Sequence, residues 1–230
     1  MKKKLFFVIS LLLVLWIPFS ACTDDRNTDP AAPSLSDGTT DPVADADGFL
    51  LSDGIYITEL FSYSGPYVED GSNDECEGIC AVRLENRSDV HYQYLHFTLE
   101  TAGGNCTFSA STLFAGDVMT VLCEEKTPFA NGQILGAEVI SAALFYETPS
   151  VHLEALKITY AEGFLNVENL TDETLKNVYI YYKNLDANGY LGGITYRTLF
   201  KEIPAGEIRQ AQARSIHPNT SRVVFSTYES

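Results

Sequence analysis

Basic residues are scarce in this sequence. Lys and Arg number 15 against 31 Asp and Glu, which gives the 230-residue chain a formal net charge of −16. A nucleic-acid-binding surface needs a stripe of positive charge that displaces counterions from phosphate, and the sequence has no such stripe. An electrostatic membrane-binding surface needs the same kind of charge. We therefore expect no nucleic-acid partner, and the acidity is typical of a solubilising surface.

Sequence signatures of catalysis and of cofactor binding are missing as well. The chain has no Gly-x-Ser-x-Gly, no His-Glu-x-x-His and no glycine loop that could cradle a phosphate. His91 and His96 are an odd number of positions apart on one predicted strand, so they would face opposite sides and could not share a metal ion. We expect a protein that is not an enzyme and that holds no cofactor and no metal.

Cysteine is absent from residues 124–230. Apart from Cys22 near the N-terminus, the cysteines are Cys76, Cys80, Cys106 and Cys123, which stand 4, 26 and 17 positions apart. This spacing does not match a zinc site, and an even set of four in an exported chain predicts two disulfides. One interpretation pairs Cys106 with Cys123 across a predicted hairpin and Cys76 with Cys80. A crossed pairing, which would tie a long loop to that hairpin, is the other.

Residues 1–21 have the pattern of an export signal. Lys2–Lys4 precede an apolar run, Leu5–Trp16, that is too short for a comfortable transmembrane helix. The segment ends in Phe19-Ser20-Ala21-Cys22, which resembles the bacterial lipobox. The resemblance implies cleavage before Cys22, lipidation of its thiol, and attachment to the bacterial cell membrane on the extracytoplasmic side through that lipid only. Ordinary signal-peptide cleavage, with Cys22 as an incidental thiol, is the alternative.

Residues 22–48 are predicted to be an acidic, disordered linker. They are rich in Asp, Pro, Ala, Ser and Gly, and bulky apolar side chains are nearly absent. Such a segment cannot bury enough apolar surface to offset the entropy lost on ordering.

A repeated pattern organises the rest of the chain. Residues 85–100 and 168–183 align without a gap over 16 residues, and each segment reads as a turn that opens a strand. Repeats of this length indicate duplicated domains rather than solenoid units. We expect a first β-sandwich domain over residues 49–147 and a second over 151–230. The first copy carries an extra loop of roughly 13 residues that includes Cys76.

Period-two alternation predicts short strands in both copies. In the strand after each turn, one set of side chains should point inward: Leu95, Phe97 and Leu99 in the first copy, and Val178, Ile180 and Tyr182 in the second. Residues 65–78, rich in Gly, Asp, Asn and Ser, are predicted to be a loop. About seven short strands per copy, separated by turns, are typical of an immunoglobulin-like sandwich.

The pattern of a strand, Asn-x-Ser/Thr, a strand and a small-Gly-acid turn resembles the bacterial immunoglobulin-like modules of secreted and lipid-anchored proteins. Among these are modules named for an F-x-L-Y-D motif. Phe97-Thr98-Leu99 matches the first half of that motif, whereas Glu100-Thr101 departs from its Tyr-Asp. The resemblance implies two tandem immunoglobulin-like domains in a surface lipoprotein, and it implies no active-site residue.

Tyrosines predicted to point outward are the candidates for partner binding. They are Tyr92, Tyr94, Tyr179, Tyr181, Tyr190 and Tyr196. Tyrosine buries much area while its hydroxyl stays hydrated, although its high strand propensity is an alternative explanation. We expect a lipid-anchored binding or scaffold protein that contacts a protein or glycan at the cell envelope. An accessory subunit of an exported enzyme or transporter complex is the alternative.

Overall fold

The computed structural model describes residues 48–161 and 163–230. Within these ranges the chain has thirteen strands and no helix, and it belongs to one compact unit. The strands are β1 Phe49–Ser52, β2 Ile55–Tyr67, β3 Asp74–Asn86, β4 Tyr92–Thr101, β5 Gly104–Leu113, β6 Val118–Leu122, β7 Ile134–Leu144, β8 Leu156–Ala161, β9 Phe164–Asn169, β10 Leu175–Asp186, β11 Gly189–Ile203, β12 Ile208–Gln212 and β13 Ser221–Glu229. The expected export signal, the lipidation site Cys22 and the linker as far as Asp47 lie outside the described residues.

The order of strand pairing repeats once along the chain. In residues 49–147, here called repeat one, β2-β3-β6 forms one set of paired strands and β5-β4-β7 forms another. In residues 151–230, here called repeat two, β8-β9-β12 and β11-β10-β13 pair in the same two arrangements. The duplication read from the sequence is therefore present in the strand pairing as well.

The two repeats share one sheet. Strand β6 pairs with β11 in parallel, with Met119 opposite Tyr190 and Thr120 opposite Leu191. This pairing joins two of the four strand sets, together with β1, into a seven-stranded sheet of order β1-β2-β3-β6-β11-β10-β13. The other two sets are separate three-stranded sheets. Pairing of β6 with β11 thus connects the segments on the two sides of the expected boundary near residues 148–150.

Each repeat encloses a hydrophobic core between its two layers. The side chains predicted to point inward are confirmed as core residues that are at most 1% exposed: Leu95, Phe97 and Leu99 in repeat one, and Val178, Ile180 and Tyr182 in repeat two. Burial of a large apolar side chain contributes about 1.5–3 kcal/mol. The all-β prediction is confirmed, and the layering is consistent with a β-sandwich.

A buried asparagine fixes the turn between β3 and β4. Asn86 is fully buried, and its amide donates to the carbonyl oxygens of Val90 at 2.9 Å and Leu113 at 3.2 Å. Its side-chain oxygen accepts from the backbone N–H of Ser88 at 3.0 Å. The backbone N–H of Asn86 donates to Asp117 O at 3.0 Å, so one residue ties three chain segments together.

Asn169 makes the same set of hydrogen bonds in repeat two. Its amide donates to Glu173 O at 2.7 Å and Ile203 O at 2.8 Å, and its side-chain oxygen accepts from the N–H of Thr171 at 2.9 Å. It is fully buried like Asn86. Buried polar groups must be paired, and in both turns the side chain of a buried asparagine provides the hydrogen-bond partners.

The prediction of a loop over residues 65–78 is wrong for most of that range. Strand β2 continues to Tyr67 and β3 begins at Asp74, so the extra residues of repeat one lengthen a hairpin whose tip is residues 68–73. The extension has no apolar alternation because much of it is exposed beyond the core. The glycine and acidic residues of this segment suggested a loop, but its two strands are held together by backbone hydrogen bonds.

Candidate functional site at the junction of the repeats

Strands and a hairpin tip from repeat one pack against β10 and β11 of repeat two, on the face that points away from the core of repeat two. We call this contact the junction. Gly193 on β11 lies so close to β5 that a Cβ atom there would overlap the carbonyl oxygen of Ser109. No residue with a side chain fits at this position without movement of one of the two strands.

The hairpin tip contributes a carboxylate to the junction. Glu69 accepts from the backbone N–H of Leu122 at 2.9 Å, and the N–H of Gly193 lies 2.9 Å from each of its two oxygens. Burial raises the pKa of the Glu69 carboxyl, while these hydrogen bonds and the charge of Lys183 oppose the rise. Glu69 therefore connects β6 of repeat one to β11 of repeat two.

Lys183 is the buried cation of the junction. It lies on β10 and is 0% exposed. Its ammonium is surrounded by backbone carbonyl oxygens and one hydroxyl: Ser111 O at 3.0 Å, Gly193 O at 3.2 Å, Ile194 O at 2.8 Å and Thr195 Oγ1 at 3.3 Å. Burial lowers the pKa of Lys183 to about 7, and the carboxylates of Glu69 and Asp117 oppose that shift.

Hydroxyl groups add further bonds between the repeats. Ser111 on β5 donates to Gly193 O at 2.7 Å, and its hydroxyl lies 2.9 Å from that of Thr195 on β11. Thr120 on β6 donates to the Asp186 carboxylate at 2.9 Å. These contacts satisfy polar groups that the close approach of the strands removes from water.

A cavity of about 340 Å³ opens beside these bonds. Its walls come from both repeats: Tyr67, Glu69, Asp70, Tyr94, Ser109, Ser111 and Glu124 from repeat one, and Gly193 and Ile194 from repeat two. We call it the junction pocket. Two tyrosines of the lining are held in place by their hydroxyl groups. The Tyr67 hydroxyl lies 3.2 Å from the carbonyl oxygens of both Cys123 and Glu124. The Tyr94 hydroxyl lies 3.2 Å from the Ser109 hydroxyl.

The structure divides the six predicted tyrosines into three groups. Tyr94 lines the junction pocket. Tyr179 and Tyr181 are half-buried on the outer face of β10, where Tyr181 stacks on Phe225 with ring centroids 4.0 Å apart. Tyr92, Tyr190 and Tyr196 are only 7–8% exposed.

The prediction that Tyr92, Tyr190 and Tyr196 point outward is wrong. A register shift between Tyr92 and Tyr94 in the pairing of β4 with β7 reverses the alternation, and Tyr92 packs into the core of repeat one. Tyr190 belongs to that core as well, although it comes from repeat two. Tyr196 stacks on Tyr182 in the core of repeat two.

All four cysteines of repeat one are free thiols in this structure, so the predicted disulfides are not formed. Cys76 and Cys80 lie on one strand, β3, where four residues span about 13 Å, and a disulfide requires Cα atoms within about 7 Å. The presumed hairpin between Cys106 and Cys123 is also wrong, because β5 pairs with β4 and β6 pairs with β3. Burial raises the pKa of Cys123 to about 11.

Glu69 and Lys183, the charged residues that bind Gly193 at the junction, were not among the residues singled out in the sequence. Glu69 belongs to the extra segment of repeat one, and the presence of that segment was the one sequence signal that could have pointed to it. Lys183 follows Ile180 and Tyr182 on the same strand, at a position that the alternation assigns to the opposite, solvent-facing side, so the sequence gave no sign that it is buried. Both owe their position to contacts between the repeats, which periodicity within one strand does not report.

A second, wider groove of about 690 Å³ lies on repeat two, and it contains none of the six predicted tyrosines. Its lining comes from β10, β11 and β12: Lys176, Asn177, Leu199, Phe200, Lys201, Glu202, Arg209, Gln210 and Ala211. All of these residues belong to one repeat, whereas the junction pocket needs both.

Within residues 48–161 and 163–230, no helix is long and apolar enough to cross a membrane. Across those same ranges, no group of three or more His, Cys, Asp or Glu side chains is arranged to hold a metal ion. No protein-family model matches the chain, and no curated protein is significantly similar to it. The junction pocket and the fold therefore carry the functional argument.

Proposed function

We propose that this chain is a lipid-anchored, extracytoplasmic binding or scaffold protein without catalytic activity. In this proposal the two repeats are tandem immunoglobulin-like β-sandwich domains, similar to the modules with the F-x-L-Y-D motif. An export signal over residues 1–21 is cleaved off, and a lipid on Cys22 then attaches the protein to a bacterial membrane. The linker of residues 22–48 holds the repeats away from the membrane, where they meet a protein or glycan of the envelope.

The junction pocket is the observation that supports binding. Ligand sites in proteins are commonly concave, measure about 300–1,000 Å³ and lie between domains. The junction pocket has a volume of about 340 Å³ and takes its walls from both repeats. Tyr67 and Tyr94 present aromatic surface to it, and the hydroxyls of Ser109 and Ser111 add polar groups. This mixture suits recognition of a small group on a larger partner.

The rigidity of the junction also favours a binding role. A shared sheet, the Glu69 hydrogen bonds and the buried Lys183 ammonium fix β11 against repeat one. A site held in place before its ligand arrives loses less conformational entropy on binding. The arrangement thus gives a preformed site rather than one assembled by the ligand.

Site-specific photo-crosslinking tests this proposal. A photoreactive phenylalanine analogue replaces Tyr94 in the full-length protein, which is then irradiated in the cells that produce it. The matched control places the same analogue at Leu153, which is 67% exposed and lies in repeat two away from the pocket lining. We expect a discrete crosslinked partner from position 94 and none from position 153.

The identity of the crosslinked species separates the alternatives. A single envelope protein or glycan supports the binding proposal. A stoichiometric enzyme or transporter complex instead supports an accessory subunit. No crosslink at position 94, or the same products from both positions, contradicts a role for the junction pocket.

A further inference from the structure

At one corner of the junction pocket, the lining residues Tyr67 and Asp70 contact a cation of the chain itself, Lys126, which is not among the lining residues. The Lys126 ammonium lies 4.0 Å from the centroid of the Tyr67 ring and 3.9 Å from a carboxylate oxygen of Asp70. An ammonium over an aromatic face beside a carboxylate is a favourable arrangement in water-accessible sites. The tyrosine ring is fixed by its hydroxyl, so its face is presented to cations in a constant orientation.

Lys126 is held loosely in that corner. Its side chain is 43% exposed and that of Asp70 is 49% exposed, and the 3.9 Å separation is long for an ion pair. Exposed pairs of this kind contribute little to stability. A competing cation could therefore displace it with little loss.

The remaining pocket is acidic. Glu69, Asp70 and Glu124 line it, and no Lys or Arg is among the described residues of its lining. Lys183 is saturated by hydrogen bonds to carbonyl oxygens, and a further cation, Arg214, lies beside Gly71 at the hairpin tip. Hydrogen bonds from Ser72 hold the pKa of the Asp70 carboxyl below its usual value, so this rim group stays ionised. The net charge of −16 further favours the approach of cations.

We propose that the junction pocket binds a primary ammonium group, and that Lys126 acts as its built-in competitor. The inference rests on the proposed binding function and names its ligand chemistry. In the bound state the ligand ammonium replaces that of Lys126 over the Tyr67 ring and next to Asp70. The volume of about 340 Å³ admits a small amine or a lysine side chain. A small amine and a lysine side chain share the ammonium group, and they differ in whether that group is attached to a peptide.

Calorimetric titration of the full-length protein in detergent tests this inference. The probes are Nα-acetyl-lysine methylamide, the same compound acetylated on its side-chain nitrogen, and n-butylamine. We expect the free amines to bind and the acetylated compound not to bind, because acetylation removes the charge. Tighter binding of the lysine compound than of butylamine points to a peptide, and equal binding points to a small amine.

The variants make the test specific to Lys126. Removal of the competitor in Lys126→Ala should tighten amine binding about threefold or more. The matched control is Lys157→Ala, which removes the same charge from a side chain that is 62% exposed and paired with Glu168 on repeat two. It should leave the affinity unchanged. Asp70→Asn should weaken binding to the Lys126→Ala background.

Three results would overturn the inference. They are absence of amine binding to Lys126→Ala up to about 10 mM, equal binding of the acetylated compound, and equal tightening in Lys157→Ala. Failure here together with a specific crosslink from position 94 rejects the ammonium ligand and leaves the binding function in place. Failure of both experiments rejects both.

Discussion

Glu69 and Lys183 bind the two polar backbone groups of the same residue, Gly193. The N–H of Gly193 lies 2.9 Å from both carboxylate oxygens of Glu69, and its carbonyl oxygen lies 3.2 Å from the Lys183 ammonium. The carboxylate comes from repeat one, and the cation and the glycine come from repeat two. Two groups of opposite charge thus bind the two peptide units on either side of the Gly193 Cα, where the repeats come together.

Removal of one member of this pair should cost more than removal of both. Lys183→Met leaves the Glu69 carboxylate buried without its counter-charge, and we expect a loss of about 3–5 kcal/mol in the free energy of unfolding. Glu69→Gln combined with Lys183→Met should recover part of that loss, with a coupling energy of about 1–3 kcal/mol. Urea denaturation of the four proteins in the cycle measures it. Strictly additive losses would show that the two residues do not interact.

The pH dependence of stability should report Lys183. Its pKa is lowered to about 7 in the folded protein from an ordinary value of 10.5. Between these values the unfolded lysine is protonated and the folded one is neutral, so unfolding takes up a proton and stability rises with pH. The difference in unfolding free energy between wild type and Lys183→Met should therefore shift in favour of wild type above pH 7, by up to about 1.4 kcal/mol per pH unit. Denaturation curves at several pH values test this, and a constant difference between the two proteins argues against a lowered pKa.

Gly193 should not accept even a methyl group. In Gly193→Ala the new Cβ overlaps Ser109 O, which is backbone and cannot move aside alone. We expect a loss of about 2 kcal/mol or more in unfolding free energy, together with faster hydrogen exchange along β11. Gly136→Ala is the matched control, because a Cβ there meets only the flexible side chain of Glu100, at 3.4 Å. Equal effects of the two substitutions would speak against close packing at the junction.

Asn86→Ala and Asn169→Ala should destabilise the protein to a similar extent. Each substitution leaves one buried carbonyl oxygen, Leu113 O or Ile203 O, and one partly buried carbonyl oxygen without their donor, and we expect a loss of about 1–3 kcal/mol in each case. Asn105→Ala, at an exposed position on β5, is the control and should change stability by less than about 0.5 kcal/mol. Thermal unfolding of the three variants makes the comparison. A neutral effect at one asparagine only would mean that the two turns are not equivalent.

Lipidation should depend on Cys22 alone. Cells that produce the protein and are fed labelled palmitate should label wild type, and Cys22→Ser should abolish both the label and membrane retention. Cys76→Ser removes another thiol that is not fully buried, and it should keep the label. Label in Cys22→Ser, or a mature N-terminus at another residue, contradicts the lipid anchor.

The strand content and the duplication could be predicted because both follow from local sequence patterns, namely period-two alternation and a repeated turn. Phe97 and Ile180 alternate with polar or half-buried neighbours, and the burial of both follows from a period of two. Asn86 and Asn169 sit at the same place in a repeated turn, so the equivalence of their surroundings could be expected as well.

The junction was not open to prediction in the same way. Tyr181 and Lys183 lie on the face of β10 that points away from the core of repeat two, and both contact repeat one there. Tyr190 likewise enters the core of the other repeat. Such contacts join segments far apart in sequence, and a pattern read along one strand carries no information about them.

The two repeats form one body around a shared sheet and a buried charge pair. Differential scanning calorimetry of the full-length protein tests it directly. We predict a single unfolding transition in which the calorimetric and van't Hoff enthalpies agree. Two separate transitions, one for each repeat, would contradict the claim and remove the basis for a preformed junction pocket.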